Sequence, residues 1–263
     1  MDELALGDLK PLYNVDMLEQ KNAHYYTVNK EEKWLPGVTT ILSATIPKPA
    51  LLPWALKEMG KNIKDYLLKR KEQPFTEHEI DGLIIASKNI YKTKAKEAAD
   101  IGTRVHNAIN DIIHGKDITI DEEIRHGVQG FLDWKASHSL TFKLGNTEIA
   151  SRLFGYGGSL DMLAFDKSDP ILIDFKTTKQ RKGYSHGIYP EYGLQLSAYA
   201  IAFEETYGIP VKEAYGLWLN KEKPGFEAVK VLNIRACFEF FLACLKLYRF
   251  QKTEIFESSE ANP

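Results

Sequence analysis

The fold is decided by residues 155–180, which read GYGGSLDMLAFDKSDPILIDFKTTKQ. Two apolar runs, SLDMLAF (159–165) and ILIDFKT (171–177), are joined there by the turn-forming residues DKSDP (166–170). A further strand-like run, NTEIASRLF (146–154), precedes them, and we take GYGG as the turn between it and the next strand. The three runs predict a three-stranded meander.

The residues on both sides of the meander complete the predicted fold. Four elements are expected after it: a helix at about 191–207, strands at 213–220 and 226–232, and a helix at about 234–250. Before it, apolar residues at helical spacing predict helices at about 80–114 and 121–138. From residue 92 on, the order α-βββ-α-ββ-α predicts an α/β fold with a mixed central sheet flanked by helices.

The first third of the chain has a different pattern. We predict a short strand at 24–29, a turn leading into a β-branched run at 34–42, and a helix from Trp54 to about Arg70. Thr76 and Glu79 have the spacing of a helix-capping box. We therefore predict two parts. Residues 1–91 form a mostly helical N-terminal addition with short strands, a candidate arch or lid, and residues 92–263 form the core that contains the meander.

Composition narrows the class of protein. Hydrophobic residues make up 44% of the chain, enough for a sizeable core, and no apolar run is long enough to cross a bilayer. The start, MDELALGDLKPL, lacks a signal-peptide pattern, so we expect a cytoplasmic protein. Two cysteines, Cys237 and Cys244, are too few for a zinc or iron–sulfur site and are expected to be core thiols. The net charge of −2 argues against a protein that coats nucleic acid without specificity.

Three charged residues in the meander carry the candidate chemistry. Asp161 lies on its second strand and Asp174 on its third, and a DKSDP turn that pairs these strands lets the two carboxylates converge. Lys176 is two residues beyond Asp174 and so points to the same face of the sheet. Convergent carboxylate oxygens suit a hard divalent cation, which activates water for phosphodiester hydrolysis. A neighbouring ammonium group positions that water or stabilises the transition state.

The tripeptide D-x-K is weak evidence alone, because this chain contains it three times, at Asp8, Asp133 and Asp174. Only the third copy ends a buried-looking strand and has a partner acid on a preceding strand. Two charged residues at the end of an apolar strand are inconsistent with the hydrophobic pattern around them, and such inconsistencies are typical of functional sites. A soluble α/β domain with coincidental motifs is the alternative.

The motifs GYGGSLDML, ILIDFKTTK and LQLSAY resemble those of the RecB-type branch of the PD-(D/E)xK nuclease superfamily over about residues 95–205. The N-terminal LPGVTTILSAT and PALLPWA are similar to the lead-in of the phage exonucleases and mitochondrial genome maintenance exonucleases of that branch. The cysteine cluster of the Cas4-like and AddB-like members is absent from the sequence, as is a nucleotide-binding P-loop.

The resemblance implies a restriction-endonuclease-like nuclease core at residues 92–263, with residues 1–91 as a candidate arch or lid over DNA, in a bacterial or virus-infected host cell. It also implies roles for individual residues. It implies metal ligation by His106, Asp161, Asp174 and the carbonyl of Phe175, for one or two Mg²⁺ or Mn²⁺ ions. It implies that Lys176 acts on the water, and that Glu148, Gln195 and Tyr199 belong to or support the catalytic site. Each role has an alternative. His106 is then a surface or core histidine, Glu148 is an ordinary strand acid, and Gln195 and Tyr199 pack within the helix at i, i+4 spacing.

The segment after the lysine is basic and aromatic. Its candidate nucleic-acid-binding residues are Lys179, Arg181, Lys182, Tyr184 and Tyr189. Cations for phosphates and rings for base stacking are typical of a single-strand groove. A solvated loop is the alternative.

These observations favour a metal-dependent DNA exonuclease that acts on single-stranded DNA or duplex ends. A structure-specific endonuclease and a non-catalytic recombination accessory module that binds nucleic acid are the alternatives. The expected partners are DNA and, because the chain lacks a motor motif, a helicase or recombination protein. A role in phage or bacterial DNA repair or recombination follows from the resemblance, and the sequence leaves the oligomeric state open.

Overall fold

The computed structural model describes residues 9–20, 23–70, 74–178 and 189–253. The elements in these ranges are, in chain order, β1 Val15–Gln20, β2 Ala23–Val28, β3 Leu35–Pro36, α1 Val38–Thr45, α2 Leu51–Arg70, α3 Glu77–Ile113, α4 Arg125–Ala136, β4 Thr141–Ser151, β5 Tyr156–Asp166, β6 Asp169–Thr178, α5 Pro190–Tyr207, β7 Glu213–Asn220, β8 Phe226–Lys230 and α6 Ile234–Phe250.

The central sheet has five strands in the order β4-β5-β6-β7-β8. The three strands of the meander are antiparallel, β6 and β7 are parallel neighbours, and β8 is antiparallel to β7. Helix α5 makes the crossover between the two parallel strands, as parallel pairing requires. The predicted mixed α/β fold and the order of its elements are confirmed.

Both faces of this sheet are buried. On one face, α1, α5 and α6 enclose an apolar cluster that includes Ile41, Phe203 and Phe241. On the other face, α4 and the end of α3 enclose a second cluster around Val105 and Phe131. Side chains alternate between the faces along β6, since Leu172 joins the first cluster while Ile173 and Phe175 join the second. The sheet is therefore the middle of three layers.

The turn between β4 and β5 lies earlier than predicted. It is formed by residues 152–155, and GYGG is mostly part of β5. The glycines serve close packing, because a Cβ added to Gly157 would lie 2.4 Å from Cγ of Tyr26, and one added to Gly158 would lie 2.4 Å from Cε1 of Tyr199. Two aromatic rings therefore lie directly on the backbone of β5.

The β-branched run at 34–42 is mostly helical, although β-branched residues favour strands. Only Leu35–Pro36 is a strand, and Val38–Thr45 is the helix α1. Val38, Ile41 and Leu42 are buried at helical spacing, so burial against the sheet outweighs the strand preference of the β-branched residues. The capping box is confirmed, since the backbone N–H of Glu79 donates to Thr76 Oγ1 and that of Thr76 to Glu79 Oε2.

Contacts divide the chain into two compact units, Met1–Ile46 with Val105–Pro263, and Pro47–Arg104. The second unit consists of α2 and the first part of α3, joined by an Asn62–Ser87 hydrogen bond and an edge-to-face contact of Trp54 with Tyr91. The domain boundary at residue 91 and the arch or lid role stay predictions. Among the described residues, no helix has the length and hydrophobicity to span a membrane.

Candidate active site

The site begins where the pairing of β5 with β6 ends. The paired residues run from Asp166 and Asp169 at the turn to Met162 and Ile173, and Asp161 and Asp174 are the next residues on the two strands. Beyond this point Oδ2 of Asp161 accepts a hydrogen bond of 2.7 Å from the backbone N–H of Phe175. A side-chain carboxylate thus replaces the backbone acceptor, and it brings the two acids together.

Asp174 and Lys176 extend from β6 toward the α5 layer. Their side chains form an ion pair, and the ammonium lies 5.2 Å from the ring centre of Tyr192. Burial, assisted by the charge of Asp161 and opposed by Lys176, raises the pKa of Asp174 to about 6. Burial lowers the pKa of Lys176, but the two carboxylates outweigh it, so the net shift is upward. The ammonium therefore stays charged at neutral pH.

His106 approaches the same carboxylates from α3, on the other face of the sheet. Its Nδ1 lies 3.4 Å from Oδ1 of Asp161, and its ring meets the Phe175 ring edge-to-face at 5.5 Å. Burial raises the pKa of Asp161, but His106, Lys176 and the Phe175 N–H outweigh it and lower that pKa overall. Asp161 therefore stays ionised to lower pH than its neighbour Asp174.

Gln195 and Tyr199 lie one turn apart on α5, directly behind Asp174. Nε2 of Gln195 donates to Oδ1 of Asp174 at 3.3 Å and to the Tyr199 hydroxyl oxygen at 3.0 Å. Both side chains are buried, and the Tyr199 ring lies against Gly158. This arrangement fixes the orientation of the Asp174 carboxylate, which suits the supporting role predicted for the pair.

The Tyr199→Phe variant tests this arrangement. Removing the hydroxyl leaves a buried amide N–H without its acceptor, so we expect a loss of stability of about 1–3 kcal/mol and a lower turnover number. Chemical unfolding and single-turnover kinetics measure the two effects. Tyr207→Phe, in the same helix, is the matched control, because the Tyr207 hydroxyl makes no hydrogen bond with the described residues. Equal losses in the two variants would contradict the role of the Gln195–Tyr199 contact.

The other predicted residues lie farther from the two acids or outside the described residues. Glu148 is paired with Ser159 on β5, and its charge acts on Tyr26 and Tyr207. Tyr189 precedes α5, and its exposed ring lies 6.1 Å from that of Tyr192. The roles of both stay predictions. Four candidates for nucleic-acid binding lie outside the described residues, namely Lys179, Arg181, Lys182 and Tyr184.

Sequence reasoning missed two aromatic residues of the site, Tyr192 and Trp218. The Tyr192 ring lies under Lys176 and meets the Trp218 ring edge-to-face at 5.7 Å. The spacing of Tyr192 from Gln195 and Tyr199, three and seven residues, places all three on one helix face and is the signal that identifies it. Trp218 neighbours Lys176 through the parallel pairing, which sequence alone does not give. It also borders a cleft of about 220 Å³ that extends to Phe226.

The donor atoms at the site suit a hard divalent cation. The two carboxylates supply oxygen, and Mg²⁺ is commonly held by one or two carboxylates together with water and substrate phosphate. Ligation by the Phe175 carbonyl stays a prediction. Among the described residues, no group of three or more His, Cys, Asp or Glu side chains has metal-holding geometry. His106 and Lys176 contact the carboxylates instead, so an ion would have to displace these contacts.

Comparison with known proteins gives distant structural similarities. No protein-family model and no curated protein matches the sequence. The crystal structure of SSO0001 is 12% identical with a TM-score of 0.36, and the match covers 74% of this chain and 84% of that chain. An alkaline exonuclease from Laribacter hongkongensis, LHK-Exo, is 16% identical with a TM-score of 0.31, over 60% of this chain and 90% of that chain. Both TM-scores are low, so the proposals below rest on the residues of this chain.

Proposed function

We propose that this chain is a divalent-metal-dependent deoxyribonuclease of the PD-(D/E)xK type, which acts as an exonuclease on single-stranded DNA or duplex ends. The observation that carries the proposal is the meeting of Asp161, Asp174 and Lys176 at the end of the β5–β6 pairing. Two acids and a cation are buried together at the end of an apolar strand. Hydrophobic residues would stabilise the fold better at these positions, so the charged residues indicate a functional role. The resemblance of residues 95–205 to the RecB-type branch supports the choice of an exonuclease.

Each residue has a distinct task in this proposal. Asp161, Asp174 and the Phe175 carbonyl, with His106 beside them, would hold Mg²⁺ or Mn²⁺. A bound cation supplies Lewis-acid activation of water and neutralises charge on the phosphate. Lys176 provides a fixed positive charge where negative charge develops on the phosphate oxygens.

The contacts of Lys176 and Asp174 limit their movement. Tyr192 packs under the Lys176 ammonium, and Gln195 fixes the Asp174 carboxylate. Such preorganisation avoids the cost of ordering these groups during the reaction.

The test uses labelled linear single strands, blunt duplex and closed circular single strands with Mg²⁺, Mn²⁺ or EDTA. We expect wild-type protein to shorten linear DNA with either cation, to be inactive in EDTA and to leave circles intact. Asp161→Asn is expected to be inactive, because it removes a charge that the cation needs. Asp166→Asn is the matched control, since Asp166 is an exposed acid at the other end of the same strand.

The outcomes separate the alternatives. Cut circles would identify an endonuclease. Cleavage in EDTA, or equal activity of Asp161→Asn and wild type, would contradict the metal-dependent site. If DNA is bound and never cleaved with either cation, the chain is a binding module.

A further inference from the structure

Helix α6 has two apolar faces. The inner face is buried against the sheet layer through Phe238, Phe241, Leu245 and Tyr248. The opposite face carries a second apolar row, here called the outer stripe, which consists of Ala236, Phe240, Ala243, Leu247 and Phe250. The largest side chains of the outer stripe are 67% exposed at Phe240, 44% at Leu247 and 56% at Phe250. A helix that covers one face of a sheet needs only one apolar face.

The spacing of the outer stripe is that of a helix–helix seam. Its residues follow one another at intervals of four, three, four and three. This is the a/d pattern by which one helix inserts its side chains between those of another. Small and large residues also alternate from Ala236 to Leu247, since Ala236 and Ala243 occupy one of the two positions and Phe240 and Leu247 the other, and Phe250 ends the stripe.

We propose that α6 packs antiparallel against α6 of a second copy of this chain, about a two-fold axis near residues 241 and 242. Antiparallel pairing of a with d positions places Phe240 opposite Ala243 of the partner subunit and Ala236 opposite Leu247 of the partner subunit. Phe240 and Leu247 then each meet an alanine, which lets the helices approach closely. The same surface serves both copies, as a closed two-fold dimer requires.

Charges beside the stripe select the antiparallel arrangement. Glu239 and Lys246 are seven residues apart on one edge of the outer stripe, and the other edge carries the half-buried Cys237 and Cys244. In an antiparallel pair, like edges meet, so Glu239 lies near Lys246 of the partner subunit, and symmetry repeats this ion pair. A parallel pair would set the charged edge against the cysteine edge and form neither ion pair.

The size of the surface sets the strength expected of the dimer. Helix α6 has 17 residues, so the seam is about 25 Å long. A contact of this length is at the small end of specific interfaces, where association is reversible. We therefore expect monomer and dimer to exchange at about micromolar concentration, whether or not the chain is a nuclease.

The first experiment is sedimentation velocity of the full-length chain over a range of concentrations. Wild type is expected to shift from monomer to dimer as concentration rises, and Phe240→Glu is expected to stay monomeric. Leu68→Glu, at a 65% exposed residue of α2 outside the proposed seam, is the matched control and should dimerise like wild type. Circular dichroism checks that the variants fold. We expect them to fold, because the substituted side chains are exposed. A wild type that stays monomeric throughout, or a Phe240→Glu variant that dimerises, overturns the proposal.

The second experiment tests orientation by charge reversal. Glu239→Lys and Lys246→Glu should each raise the dissociation constant several-fold, because each places like charges opposite one another. The double variant, Glu239→Lys with Lys246→Glu, should restore the wild-type dissociation constant, because the two charges of each ion pair are exchanged and remain opposite in sign. If the single changes have no effect, or the double change fails to restore association, the antiparallel pairing is wrong.

Discussion

Lys176→Met is expected to reduce DNA cleavage by about 10²–10³-fold while DNA binding is retained. The substitution keeps the length of the side chain but removes the positive charge beside Asp174. Removal of one preorganised charge or donor at a developing oxyanion typically costs this much in turnover. Single-turnover cleavage of a labelled strand measures the chemical step, and fluorescence anisotropy without a divalent cation measures binding.

The chain contains its own control for this variant. Lys135 ends another D-x-K tripeptide, on α4, where its ammonium lies 5.5 Å from the centre of the Phe142 ring. Lys135→Met therefore makes the same change in the same tripeptide away from the two acids, and wild-type cleavage is expected. An active Lys176→Met variant would remove the lysine from the mechanism. Equal loss in both variants would point to a general effect on folding.

Asp174→Asn is expected to abolish the stabilisation of the protein by Mn²⁺ as well as its activity. At a cation concentration of 100 times its dissociation constant, wild type should gain about 2.7 kcal/mol, or about 5–10 °C in melting temperature. The variant loses a ligand charge while its amide oxygen still accepts the hydrogen bond from Gln195. Thermal melting with and without Mn²⁺ measures the difference, independently of any DNA substrate.

The pH dependence of this stabilisation has a defined sign. The pKa of Asp174 in the folded, metal-free protein is raised to about 6. Below that pH the carboxyl group is protonated, and a cation must displace the proton to bind. The gain from Mn²⁺ should therefore be larger at pH well above 6 than below it. A gain that is equal on both sides of pH 6, or that persists in Asp174→Asn, would contradict Asp174 as a ligand.

The hairpin of the site could be predicted from sequence because its signals are local. The DKSDP turn pairs Asp166 with Asp169, and the two-residue period of a strand places Asp174 and Lys176 on one face. Residues Gln195 and Tyr199 follow from the same reasoning on a helix. In each case, neighbours in sequence determine neighbours in space.

The parts that sequence missed depend on contacts between distant segments. The helix α1 forms from a β-branched run because its apolar residues bury at helical spacing against the sheet. Gly157 and Gly158 belong to a strand because rings from β2 and α5 occupy the space of their missing side chains. The contact of Trp218 with Tyr192 requires the parallel pairing of β6 with β7. The glycine contacts and the pairing that brings Trp218 to Tyr192 leave no periodic trace in the sequence.

The hydrogen bond from the Phe175 N–H to the Asp161 carboxylate makes this backbone amide a reporter of the site. The N–H of Phe175 lies within a buried strand, yet its hydrogen bond ends on Asp161 and not on a carbonyl. Its rate of exchange with solvent deuterium and its nitrogen chemical shift therefore follow the state of one side chain. Any ion, proton or phosphate that engages Asp161 should change the signal of this amide, even in a variant that cannot turn over substrate.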